Sequence, residues 1–163
     1  MRCAASVRRV RRLAFLLLAL AVAGCGSSTK KQSGPGPGTV VYQGSEWAVV
    51  LDHGKAHAQH LVDGVWKTDA SSAVRLSILG PKPGSKQPAI TQVAVEMRAD
   101  QALAESALWV DGVEVLEKGG GLTPKRGTIY GATASPLAKG EHTAVAYART
   151  AMHGTAVAWT FHV

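Results

Sequence analysis

An antiparallel all-β sandwich is the fold class this sequence predicts, and three observations predict it. Short segments rich in β-branched and aromatic residues recur, broken by turn residues every roughly 8–12 positions, the spacing of a sandwich. Asp52-His53-Gly54-Lys55, Asp63-Gly64 and Asp111-Gly112 stand between such segments and supply the positive φ that tight hairpins need. No amphipathic helix competes. The one candidate, "ADQALAESALW" over 99–109, is brief, carries Glu105 inside and runs straight into a strand pattern.

The elements follow in order. "TVVYQ" at 39–43 and "WAVVL" at 47–51 are dominated by residues that favour a pleated surface. Residues 56–62 lie between the Asp-His-Gly-Lys turn and Asp63-Gly64. Strand 74–79 ends before Pro81, Pro83, Gly84 and Pro88, a connection that no central strand tolerates. Strand 90–98 follows, and 107–110 and 113–116 flank Asp111-Gly112. Strands 127–130, 142–149 and 155–163 complete the set, the last two joined through Gly154.

Ahead of these strands stands "MRCAASVRRVRRLAFLLLALAVAGCGSS". Arg2, Arg8, Arg9, Arg11 and Arg12 form a basic n-region, and residues 13–23 form an apolar run too short for a permanent span. The run ends in Val22-Ala23-Gly24-Cys25, which resembles the lipobox of bacterial lipoproteins. That resemblance implies acylation of the Cys25 thiol, cleavage before it, export by the general secretory route and a lipid anchor on the outside of the cell membrane. "RRLAF" at 11–15 resembles a twin-arginine signal only faintly, because its spacing is off. Residues 25–38, with "SSTKKQSGPGPG" at their centre, hold almost nothing to bury and read as a disordered Gly/Pro/Ser tether.

The leader changes the meaning of the charge. The chain carries +7, but five basic residues and no acidic ones precede Cys25, which leaves 13 basic against 11 acidic residues. The apparent basicity of a nucleic-acid binder belongs to the leader, and no nucleic-acid partner is expected. Cys3 departs with the leader and Cys25 is the lipidation site, so the mature domain has no thiol for catalysis, redox exchange or a metal site.

The second half carries a further resemblance. "LWVDGVEV" and then "LAKGEHTAVAYARTAMHGTAVAWTFHV" are similar to the bacterial immunoglobulin-like domains of secreted and surface proteins. The matching positions are Leu137, Gly140, His142, Thr143, Gly154, Trp159, Thr160, Phe161 and Val163, and the similarity spans 74–163. It implies a sandwich over 72–163, preceded by additional N-terminal strands at 39–71, and it says little of function. The inter-sheet cysteine pair of antibody domains is missing.

Several motifs invite a chemical reading. The stretch "EVLEKGGGLTPKRGTIYG" at 114–131 has glycines and Lys125-Arg126, yet a β-pattern follows where a phosphate loop needs a helix. The expectation is a long inter-strand loop, with an anion or glycan contact through Lys118, Lys125 and Arg126 as its functional alternative. His53, His57 and His60 cluster in sequence, but along a strand His57 and His60 point to opposite faces, which disfavours a metal site. No Gly-x-Ser-x-Gly elbow or His-Glu-x-x-His helix is present, so neither enzyme chemistry nor a cofactor is expected.

One pattern is unusual for a free-standing sandwich. Ala144, Ala146 and Ala148 would face Val157, Trp159 and Phe161 on the inside, yet Trp109, Val145 and Tyr147 make the other face apolar as well. Either the N-terminal strands, with Trp47 and Trp66, fold over that face, or a partner does. The candidate partner residues are therefore Trp109, Val145, Tyr147, Lys125 and Arg126, for an envelope protein or glycan. The functional expectation is a non-catalytic, membrane-anchored envelope lipoprotein that serves as an interaction module. A structural or accessory lipoprotein without a small ligand, or a metal carrier using the histidines, is the alternative.

Overall fold

The computed structural model describes residues 34–163. The leader, the lipobox with Cys25, and residues 25–33 of the tether lie outside the described residues. Three four-stranded sheets make up the fold, and every strand pair is antiparallel. The N-terminal sheet is a meander of β1 (Thr39–Gln43), β2 (Trp47–Asp52), β3 (Lys55–Val62) and β4 (Val65–Thr68). β5 (Val74–Gly80), β6 (Gln92–Ala99), β10 (Arg126–Ala132) and β9 (Leu116–Thr123), in that spatial order, form the outer sheet. β12 (Gly154–His162), β11 (Glu141–Arg149), β7 (Glu105–Val110) and β8 (Val113–Glu114) form the central sheet.

The side-chain period of two explains the stacking. Leu108, Val110, Ala144, Ala146, Ala148, Trp159 and Phe161 of the central sheet pack against Val93, Val95, Met97 and Ile129 of the outer sheet. Small residues sit beside large ones there, as where Ala144 pairs with Trp159 and Ala146 with Val157, so the side chains of the two sheets can interdigitate. Residues of opposite parity, Ala107, Trp109, Val145 and Tyr147, meet Trp47, Val49, Ala56 and Ala58 of the N-terminal sheet. The central sheet is thus buried on both faces, which is why β11 reads as a nearly continuous apolar run. Trp66 is buried too, but it lies outside this cluster.

Polar clasps fix the layers. Asp69, just after β4, accepts from the backbone N–H of Gly154 at 2.9 Å and of Ser71 at 2.8 Å, and meets His153 Nδ1 at 3.3 Å. Burial opposes the charge, but these donors hold the Asp69 carboxyl below its ordinary range. Close approach does the rest. A Cβ on Gly154 would lie 2.7 Å from Cζ3 of Trp47, so only glycine lets the N-terminal sheet settle this near β12. The turns match expectation, with positive φ at His53-Gly54, Asp63-Gly64 and Asp111-Gly112.

Two expectations need correction. Residues 114–131 are not a long loop. They contain β9, which pairs with β10 from Thr123↔Arg126 to Leu116↔Ala132 across a tight turn at Pro124-Lys125. Glycine lowers strand propensity, but pairing with a well-formed neighbour overrides it. The fold also begins before Thr39. Gly36 N–H donates to Gln59 Oε1 at 2.9 Å, within the segment read as tether.

Candidate functional site

Trp109, Val145 and Tyr147 are 4%, 2% and 0% exposed beneath the N-terminal sheet, and as partner-binding residues they are withdrawn. The apolar face that suggested a partner is covered by the chain itself. Of the three histidines, His60 stacks on Trp47 with ring centroids 4.2 Å apart, while His53 lies in the β2–β3 turn and His57 pairs with Val50 in register. Among the described residues, no three His, Cys, Asp or Glu side chains come together in a way that could hold a metal ion.

At one end of the interlayer core sits a charged cluster. Tyr42 Oη donates to Glu105 Oε1 at 2.8 Å, and Arg149 Nε donates to Glu105 Oε2 at 2.6 Å. The Arg149 guanidinium lies 5.9 Å from the Trp47 ring centroid, within cation–π range. Burial and the neighbouring Glu105 push the Tyr42 hydroxyl up, and burial pushes Tyr147 up further still. The cluster and the loop at 44–46 line a half-open cavity of about 50 Å³, large enough only for water-sized occupants. Its members satisfy one another across two sheets, which is a structural task.

A second polar knot closes the sandwich end. His142 Nδ1 lies 2.7 Å from Asp111 Oδ2, and Nε2 lies 2.8 Å from the Ala138 carbonyl. Both neighbours are acceptors, so the protonated imidazole, with a donor on each ring nitrogen, is the form this geometry favours. The hydrogen bond to Asp111 and then that to Ala138 raise its pKa. Beside it, a cleft of about 250 Å³ runs between Val110, Val113, Val115, Pro136 and Leu137, and its lining is mainly apolar, with Asp111, Glu114, Thr133 and Ser135 as its polar members.

The exposed chemistry gathers on the outer sheet. Arg75 of β5 pairs with Arg98 of β6, which pairs with Arg126 of β10. Three arginines therefore stand side by side in one row across three strands, about 4.8 Å apart at the backbone. Their side chains are 69%, 58% and 59% exposed, whereas Glu96, one row further along, is only 18% exposed. Glu96 Oε1 accepts from Arg126 Nε at 2.9 Å and Nη2 at 2.6 Å, and Glu96 Oε2 accepts from Arg98 Nη2 at 3.2 Å. The hydrogen bonds from Arg126 and then Arg98 hold the Glu96 carboxyl below its ordinary range. Arg75 is held more loosely, 3.7 Å from Asp100. Lys125 is exposed at the adjoining turn, as sequence reading placed it, together with Arg126. Reading the sequence missed Arg75 and Arg98, whose adjacency depends on register across strands more than 20 residues apart. No protein-family model matches this chain, and no curated protein matches it.

Proposed function

We propose that the chain is a non-catalytic, membrane-tethered protein of the bacterial cell envelope, and that its β stack is an interaction module presenting the outer sheet to an anionic partner. The observation that carries this reading is the arginine row. Like charges directly opposite one another in a sheet destabilise it, and the core beneath gains nothing from them. One carboxylate, Glu96, serves both Arg98 and Arg126, which leaves unspent guanidinium donors facing solvent. Oxyanions are the groups that such forks recognise. The tether reading rests on the leader and on Cys25, with membrane attachment through a lipid there.

Two experiments test the halves separately. Cys25→Ser abolishes fatty-acid labelling and the normal membrane fractionation; labelling equal to that of the unmodified chain refutes the anchor. The immobilised protein retains anionic envelope material at low ionic strength and releases it near 1 M salt, where the screening length falls to about 3 Å. Retention that ignores salt refutes the binding face.

A further inference from the structure

We infer that the anionic partner is an acidic polysaccharide, with sugar rings packed on Tyr130 and acidic groups held by Arg98 and Arg126; this rests on the reading of the outer sheet as a binding surface. The exposed face of that sheet is graded in three rows. β10 alternates, with Ile129 in the core and Arg126, Thr128 and Tyr130 on the outer side. In register with these lie Arg98, Glu96 and Ala94 of β6, and then Arg75, Ser77 and Gly80 of β5. The arginine row is therefore followed by a row of Ser77, Glu96 and Thr128, and then by a shelf of Gly80, Ala94 and Tyr130. Successive rows are two residues apart, about 6.8 Å, so shelf and arginines are separated by roughly 14 Å.

Tyr130 pairs with Lys118 of β9, and its ring leans towards a neighbouring glycine of that strand. Thr128 pairs with Gly120, and Cε1 of Tyr130 lies 3.5 Å from where a Cβ of Gly120 would be. The half-buried tyrosine ring thus leans over a strand position that has no side chain. On its other side stand only Ala94 and Gly80, with Leu79 56% exposed at the bulge of β5. An aromatic face flanked by small residues and an exposed leucine suits the C–H face of a sugar ring. Ser77, Thr128 and the ionised Glu96 offer hydroxyl and carboxylate partners to sugar hydroxyls. The arginines beyond supply the oxyanion contacts.

A densely charged polymer fits less well. Glu96 stands within the basic face and repels the closely spaced anions of polyphosphate, which also has no sugar ring for the shelf to hold. A nucleic-acid surface is broader and more basic than this one, since only 13 basic residues against 11 acidic ones follow the leader.

The test compares the full lipidated chain, in detergent, against polygalacturonate, dextran, polyphosphate and single-stranded DNA at low salt. Polygalacturonate binds at least about tenfold more tightly than the other three. Tyr130→Ala weakens polygalacturonate binding about tenfold and leaves any residual polyphosphate binding unchanged, Tyr130→Phe retains binding, and Arg126→Gln weakens both. Polyphosphate or DNA binding as tight as polygalacturonate, or indifference to Tyr130→Ala, overturns the polysaccharide and leaves the anionic surface standing. Binding to dextran as tight as to polygalacturonate overturns the acidic requirement. Binding to none of the four overturns the surface itself.

Discussion

Trp47→Ala separates the N-terminal sheet from the central one at their tightest point. The indole is 2% exposed, stacks on His60 at an interplanar angle of 4°, lies under the Arg149 guanidinium, and meets the backbone of β12 at Gly154. Truncating a core aromatic costs about 3–5 kcal/mol, a large part of the roughly 5–15 kcal/mol that a domain has. A cycle with Gly154→Ala isolates the contact. In the unmodified chain the new Cβ would lie 2.7 Å from Cζ3 and 3.1 Å from Cε3 of the indole, an overpacking that costs about 1–3 kcal/mol. With Trp47 already alanine, both of those neighbours are gone and only the Arg149 Cβ at 3.3 Å remains. The Gly154→Ala penalty should therefore shrink by about 1 kcal/mol or more in the Trp47→Ala background. Urea unfolding followed by circular dichroism reads all four corners of the cycle. Additive effects, or a Trp47→Ala midpoint equal to that of the unmodified chain, would refute this packing of the two sheets.

The remaining predictions concern groups whose partners are visible or missing. Tyr147 Oη is buried without a hydrogen-bond partner, so Tyr147→Phe leaves the unfolding midpoint unchanged or raises it, by up to about 1–3 kcal/mol; a clear loss would mean that the hydroxyl is satisfied. His142 has its pKa raised by Asp111 and Ala138, so its stabilisation is fully present below the unfolded value near 6.5 and is lost as pH rises through the folded value. The stability gap between the unmodified chain and His142→Gln is thus about 1.5–3 kcal/mol at pH 5–6 and narrows as the pH rises through the raised folded value; a gap that widens with pH contradicts the protonated clasp. Trp159→Ala, which empties the other core of a 5%-exposed indole, costs about 3–5 kcal/mol in the same denaturation assay.

Much of the fold was legible because burial on both sides leaves a mark in sequence. The run His142-Thr143-Ala144-Val145-Ala146-Tyr147-Ala148 has apolar residues of both parities, which a sandwich open to water on one face would not carry. The three Asp/His-Gly turns fixed their hairpins through backbone conformation alone. β4 escaped notice because four residues with one buried side chain, Trp66, make no alternation to read. β9 escaped because its glycines carry no strand signal of their own, Gly119 and Gly120 being held by pairing with Ile129 and Thr128 of β10. The candidate site was legible only in part. Lys125 and Arg126 drew attention as neighbours in a turn, whereas Arg75, Arg98 and Arg126 become one row only through the register of β5, β6 and β10. Trp109, Val145 and Tyr147 were read correctly as a surface needing cover, and the chain covers them itself.

The most direct measurement compares stability and binding in one variant, Glu96→Gln/Arg98→Gln/Arg126→Gln, which removes Glu96 together with both of its arginine partners. Ion pairs on the solvent side of a sheet add little to stability, so the urea midpoint should stay close to that of the unmodified chain, while salt-sensitive retention of anionic polysaccharide disappears. Loss of several kcal/mol together with undiminished retention would show that the arginine row serves the fold and that the partner binds elsewhere.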